Sequence, residues 1–169
     1  MIVLQTDRLR LRHMRPDDAA FMLAMLNDPA WHRYIGDRGI RSVDGAREHI
    51  LNGPMAMVAR HGFGFYLVER KEDGSSIGIC GLAKRDFLDD VDIGYAFLPQ
   101  YGGQGYAFEA AAGVLEHARA IGLQRLVATV VPENAASIRL LEKLGLRFER
   151  SFEAPDSTRA LQLFGMALV

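Results

Sequence analysis

The chain has 169 residues, with 20 basic against 21 acidic for a net charge of −1, 49% hydrophobic residues and a single cysteine. That length suits one domain with a sizeable core, residues 1–169 as a unit, while the charge balance argues against a dedicated nucleic-acid binder and one cysteine rules out an internal disulfide framework. No apolar run approaches the ~18 residues of a membrane helix, and Met1 to Arg8 lack the basic and apolar regions of a leader, so the expected location is cytoplasmic, with no membrane partner.

Leu9 and Leu11 alternate with Arg8, Arg10 and Arg12, which predicts a half-buried strand with a basic outer face. Pro16, Asp17 and Asp18 open a helix that runs to about Asn27 and stops before Pro29, since proline and carboxylates both suit a first turn. Trp31 to Ile35 reads as an aromatic loop. Ser42 is a candidate N-cap for a second helix, closed by Asn52-Gly53-Pro54. Phe63 to Glu69, Ile77 to Lys84 and Val91 to Leu98 read as three strands, with turns at Asp73 to Ser76 and at Asp89-Asp90, an antiparallel meander.

A helix follows from about Tyr106 to Ile121, with Ala107, Ala110, Ala111, Val114, Ala118 and Ile121 on one stripe. Leu126 to Val131 is a short strand. Ala135 to Leu144 is a helix ended by Gly145, a good residue just past a helix end. Ser151 to Arg159 reads as a polar loop with Pro155, and Leu161 to Leu168 as the last strand. The expected order is β-α-α-β-β-β-α-β-α-β-β, a mixed α/β domain of two packed layers. The last strand completes the sheet either within the chain or across a dimer, so a monomer and a homodimer both stay open.

Residues 98–110, Leu-Pro-Gln-Tyr-Gly-Gly-Gln-Gly-Tyr-Ala-Phe-Glu-Ala, join a strand to a helix through glycines. Unpaired amides and the helix dipole converge at such a junction, and missing side chains let a phosphate approach the backbone. A Walker A run is absent. A dinucleotide fingerprint starting at Gly103 and Gly105 fails at its third glycine, which is Phe108, and the preceding strands are not a parallel βαβ unit; a nicotinamide dinucleotide oxidoreductase is therefore disfavoured. The remaining pattern is Q-x-x-G-x-G at Gln100, Gly103 and Gly105.

That pattern resembles the pyrophosphate loop of the GNAT superfamily of acyl-CoA-dependent N-acyltransferases. Ile93-Gly94-Tyr95-Ala96-Phe97-Leu98-Pro99 resembles the family's strand before the loop, and Gly105 to Ala110 its helix start. Asn134, Ser137, Leu140, Glu142, Lys143, Leu144 and Gly145 match the next segment, with Leu146 in place of phenylalanine. Thr6 to Arg12, with Asp17-Asp18 after it, is similar to the branch of ribosomal-protein alanine N-acetyltransferases. The resemblance spans nearly the whole chain. It implies a mostly antiparallel central sheet flanked by helices, in which two parallel strands, 91–98 and 126–131, splay apart.

It also implies acetyl-CoA as co-substrate and direct attack of a primary amine on the thioester in a ternary complex. Backbone amides of Gly102, Gly103, Gln104, Gly105, Tyr106 and Ala107 would grip the pyrophosphate. Gln104 stands where close relatives often carry a basic residue, and it adds no charge. Backbone groups of Tyr95, Ala96, Phe97 and Leu98 would hold the pantetheine as an added strand, and an oxyanion donor of that kind is worth ~3 kcal/mol to the transition state. Gly94 marks either a bulge that opens the strand or close packing against a neighbour.

Many relatives protonate the leaving thiolate with a tyrosine, at a position that is Leu141 here. Ser137, one turn earlier, is the substitute, as a relay or as a local cap. Asn134 either binds pantetheine or caps the helix from Ala135. Asp92 is the candidate general base, against a solvated strand-end acid as the plain alternative. Glu109, in a helix first turn, suits a structural role.

His13, His32, His49, His61 and His117 show no metal-ligand spacing, so no metal is expected. Cys80, in an apolar strand, reads as a small core residue. Trp31 and Tyr34 fall where the family builds its acceptor site. The acceptor itself is a protein N-terminus or a small-molecule amine, which the loop signature does not encode. A non-catalytic acyl-CoA sensor is the alternative, motivated by Leu141.

Overall fold

The computed structural model describes residues 1–155 and 159–169. Eight strands form one open sheet in the order β1-β2-β3-β4-β5-β6-β8-β7. They are β1 (Ile2–Gln5), β2 (Leu9–Arg12), β3 (Phe65–Arg70), β4 (Ser76–Ala83), β5 (Asp92–Phe97), β6 (Arg125–Val130), β7 (Arg147–Glu153) and β8 (Ala160–Ala167). The expected meander is present: β2 through β5 pair antiparallel in sequence order. The only parallel pair among the described residues is β5 with β6, and it consists of one bridge, Asp92 opposite Val127. The last strand completes the sheet within the chain, since β8 lies between β6 and β7.

Helices cover both faces of this sheet, so there are three layers rather than the expected two. On one face Ala110, Ala111, Val114 and Ala118 of α5 (Tyr106–Ala120) pack on Leu9, Leu11, Tyr66 and Leu82. On the other, Met22 and Met25 of α1 (Ala19–Leu26) and Ala46 and Ile50 of α3 (Val43–Asn52) pack on Leu67 and Ile79. Alternate residues of a central strand point to opposite faces, so strands covered twice must be apolar on both. β4 meets that demand with seven consecutive buried residues after Ser76.

The second layer corrects the reading of β2. Arg12 is not on an outer basic face but 9% exposed. Its guanidinium donates to both Asp18 oxygens, at 3.0 and 2.8 Å, and its Nε donates to Glu69 Oε2 at 3.0 Å. A cation covered by a helix start has to be paired, because burying it alone costs several kcal/mol or more. Asp18 is correspondingly a buried partner as well as a first-turn acid, and it accepts the Arg15 amide at 2.8 Å.

Four elements differ from expectation. β1, Ile-Val-Leu-Gln, is an edge strand whose three consecutive apolar residues show no alternation. Pro29–Tyr34 is a short helix, α2, not a loop; Asp28 caps it by accepting from the Ala30 amide at 3.0 Å. Pro54 does not only end α3, which Ser42 caps as expected; it also starts α4 (Pro54–His61), since proline is well placed at a first helical position. Residues 151–153, expected in a polar loop, belong to β7, an exposed edge strand held by its ladder to β8. Of that loop, residues 156–158 lie outside the described residues. The sixth helix, α6 (Ala135–Leu144), ends at Gly145 with φ 111°. Among the described residues no helix is long and apolar enough to cross a membrane.

Candidate active site

The site is built where β5 and β6 part. β5 is fully paired to β4 on one side and β6 to β8 on the other. Between them the Val127 amide donates to the Val91 carbonyl at 3.0 Å, and beyond the Asp92–Val127 bridge the two strands no longer pair. A cavity of about 1060 Å³ opens there, lined by both strands, by α6, and by Met22, Trp31, Tyr34 and His49 from the helices of the second layer.

β5 leads into a 3-10 turn at Pro99–Tyr101 and then into α5 through Gly103 (φ 72°) and Gly105 (φ 81°), left-handed conformations that a residue with a Cβ adopts only at a cost. Gly105 occupies the N-cap of α5 and no side chain caps the helix, which leaves its first amides available to an anion. The loop itself is exposed from Gly102 to Gly105, whereas Tyr106 is buried beneath it.

A guanidinium from the distant β1–β2 connection stands beside Gln104. Arg8 donates from Nη1 to the Gln104 carbonyl at 2.9 Å and lies over the Tyr106 ring, 4.3 Å from its centroid. Glu109 holds Arg8 in place, accepting from its Nε at 2.7 Å and its amide at 2.9 Å, and from Thr6 Oγ1 at 2.5 Å. Glu109 therefore ties the β1–β2 connection to α5. Burial works to raise its carboxyl, but the bonds from Thr6 and Arg8 outweigh that and hold it below the ordinary value. Arg8 stood in the sequence beside Leu9 as one more strand charge, and no local signal marks it as a neighbour of a loop near residue 104.

The candidate residues divide by location. Asp92, Tyr95, Ala96, Phe97, Ala107, Asn134 and Ser137 all line the cavity. Gln100, Gly102, Gly103, Gln104 and Gly105 form the exposed loop between β5 and α5 and are not part of the lining, which meets α5 at Ala107, and Leu98 instead packs toward the second-layer core. Gly94 resolves to close packing: a Cβ there would sit 2.8 Å from the Phe65 ring, and the β4–β5 register runs through it without a shift. Asn134 caps α6, accepting from the Ser137 amide at 3.2 Å. Leu141 is 1% exposed in the main core.

Asp92 is no solvated strand-end acid; it is 3% exposed. Its Oδ2 accepts from Arg85 Nε at 3.1 Å, a partner the sequence reading did not single out, while Oδ1 has no partner. Burial raises its pKa, and the Arg85 charge offsets this in part. Such a carboxylate is poised to take a proton. The Tyr95 phenol meets Ser137 Oγ at 2.7 Å, and burial pushes its pKa up to about 12 despite that bond. Cys80 is fully buried, its thiol raised far above the usual range by burial. Of the histidines, His49 lines the cavity, and burial followed by the Arg38 charge lowers its pKa. No cluster of three or more metal-ligating side chains occurs among the described residues.

Comparison with known proteins follows the same outline. A family model described as an acetyltransferase (GNAT) domain matches residues 8–147. The uncharacterised protein YkkB of Bacillus subtilis (strain 168) is 32% identical over 154 residues, covering 88% of this chain and 87% of that protein. The uncharacterised N-acetyltransferase YoaA of the same organism is 31% identical, covering 87% and 84%. Among solved structures, Mycobacterium smegmatis RimJ in complex with CoA-disulfide has a TM-score of 0.76 at 26% identity, covering 94% of this chain and 81% of that one. An acetyl transferase from Salmonella typhimurium that modifies the N-terminal serine of ribosomal protein L7/L12 has a TM-score of 0.81 over 99% of both chains; at 17% identity this is a likeness of fold.

Proposed function

The chain belongs to the GNAT acetyltransferase family, and from that premise we propose that it moves an acetyl group from acetyl-CoA to a primary amine by direct attack in a ternary complex. It is an N-acetyltransferase by family; the acceptor and the residue roles are our reading. The observation that carries this reading is the parting of β5 from β6 into a cavity that reaches Ala107, in the first turn of the uncapped α5.

Amides from Gly102 to Ala107 bind the pyrophosphate, with Arg8 adding the positive charge that Gln104 lacks. The edge of Tyr95 to Leu98 pairs with the pantetheine amides and helps polarise the acetyl carbonyl. Asp92 accepts the proton of the attacking ammonium, for which its unpartnered Oδ1 is suited. The nitrogen then bonds to the carbonyl carbon, the tetrahedral adduct collapses with cleavage of the carbon–sulfur bond, the nitrogen gives up its second proton to solvent, and Ser137 hydrogen-bonds the departing sulfur. The acceptor enters past Trp31 and Tyr34, which also line the cavity. An N-terminal peptide amine is the favoured acceptor, by analogy with the Salmonella protein of the same fold.

Thiol release from acetyl-CoA, measured over peptides beginning with Ala, Ser or Met and over small amines, tests the reading. Turnover with at least one amine is expected, fastest with a peptide. Tight CoA binding without release on any amine would favour the sensor alternative, which the apolar Leu141 motivates.

A further inference from the structure

Two hydroxyls from distant parts of the chain meet across the gap between β5 and α6. Tyr95 OH lies 2.7 Å from Ser137 Oγ and 3.3 Å from the Ser137 carbonyl oxygen. Both residues line the cavity. The Ser137 backbone is already fixed, because its amide is spent on the Asn134 cap. What remains free is the direction of the two hydroxyl protons: either oxygen can donate across the 2.7 Å contact, and the phenol has the Ser137 carbonyl at 3.3 Å as a second, longer acceptor. A serine hydroxyl has a single proton and two acceptor positions. If the phenol donates to Ser137 Oγ, the serine proton is released to point elsewhere. Leu141, one turn further along α6, is buried and brings no polar atom.

We infer that Tyr95 is a positioning residue whose phenol donates to Ser137 Oγ and thereby aims the serine proton at the sulfur of the leaving CoA thiolate. The inference rests on the acetyl-transfer reading of this cavity. As the carbon–sulfur bond breaks, its electron pair goes to sulfur, and the Ser137 O–H donates a hydrogen bond to that charge. No bond to the protein forms. The phenol keeps its own proton: its pKa is about 12, whereas a thiol ionises near ~8.5, so a thiolate is too weak a base to remove it. The pair is a chain of donors rather than an acid, and CoA collects its proton from solvent.

The test is Tyr95→Phe, which removes one oxygen and keeps the ring. CoA is bound to the wild type, to Tyr95→Phe, to Ser137→Ala and to the double variant, and its thiol is titrated by thiolate absorbance. Cys80, the only cysteine in the sequence, stays silent because it is buried and its thiol is raised. Bound CoA should ionise at lower pH than free CoA in the wild type. Each single variant should return it toward the free value, and the double variant no further. Turnover should fall on the order of tenfold in Tyr95→Phe, the scale of one hydrogen bond to a charged group, with acetyl-CoA KM unchanged. Ser137→Thr should keep the shift.

An unshifted thiol in the wild type, or a Tyr95→Phe protein with wild-type thiol pKa and kcat, would overturn the inference. So would losses that add in the double variant. A shifted thiol with no release from any amine would instead refute acetyl transfer and leave the thiolate contact standing.

Discussion

Asp92 faces Val127 across the one bridge between β5 and β6 among the described residues, and the Asp92 side chain is buried in the cavity that opens where the strands separate. One residue thus ends the pairing of β5 with β6 and carries an orphan carboxylate oxygen into the space their parting creates.

Asp92→Asn should lower kcat/KM by ~10²–10⁴, the usual range for loss of a general base. Wild-type activity should fall with acid along a limb lying above the ~3.9 of an ordinary aspartate, because burial raises Asp92. Arg85→Met removes the opposing charge and should move that limb higher still. Stability runs the other way. The native state holds this proton more tightly than the unfolded chain does, so ionisation at rising pH costs stability, and Asp92→Asn should be at least as stable as wild type at neutral pH. Rate profiles and thermal melts across pH read both; a limb unmoved by either substitution would reassign the base.

Gly103→Val and Gly105→Val should abolish CoA binding by calorimetry while melting only slightly early. Each forces a side chain into a left-handed backbone, a strain of ~1–2 kcal/mol, and projects it where a phosphate would lie. Gly122 has φ 90° and open space around it, in the turn after α5. Gly122→Val therefore carries similar strain away from the loop and should bind CoA normally; an equal loss there would mean that strain alone explains the loop variants.

Arg12→Met should destabilise the protein by ~3–5 kcal/mol, since it strands Asp18 among buried groups. Burial tends to raise the Asp18 carboxyl, yet the Arg12 and Arg15 bonds hold it below its ordinary value. Its lowered pKa means its contribution is present above the unfolded value and lost as pH falls through the folded one. Urea unfolding at pH 7 and at pH 3 should show that loss in the wild type. The same loss surviving in Arg12→Met would show that Asp18 does not draw its stability from Arg12.

Glu109→Gln should raise the acetyl-CoA KM without moving the acid limb of kcat, because Glu109 anchors Arg8 beside the loop and lies outside the main cavity lining. A displaced limb would make Glu109 the base instead of a clamp.

Leu141→Tyr should lose ~1–3 kcal/mol of stability by overpacking, and thiol release should not rise. Thermal melts and steady-state rates on one accepted amine decide this; faster turnover would show that the core yields space for a phenol at that position.

Several features were legible because their cause is local. The glycines at 103 and 105 are recognisable wherever a chain must turn left-handed into a helix, and the Asn134 and Gly145 ends of α6 follow from their own side chains. The meander was readable from period and turns. α4 and the extent of β7 were not: Pro54 reads as an end before it reads as a start, and β7, almost wholly exposed, has no apolar face to show that it runs on through residues 151–153.

By itself the sequence determined the sheet-and-helix order around the loop, the loop's backbone form and the family, since each depends on neighbours in the chain. The tertiary structure decided which charges are buried and what they meet. Arg12 lies under a helix start, Arg8 beside a loop some hundred residues away, and Tyr95 against Ser137 across a strand gap. Such contacts depend on which face each strand turns to which layer, and alternation alone does not say whether the outward side of a strand ends in water or beneath another helix.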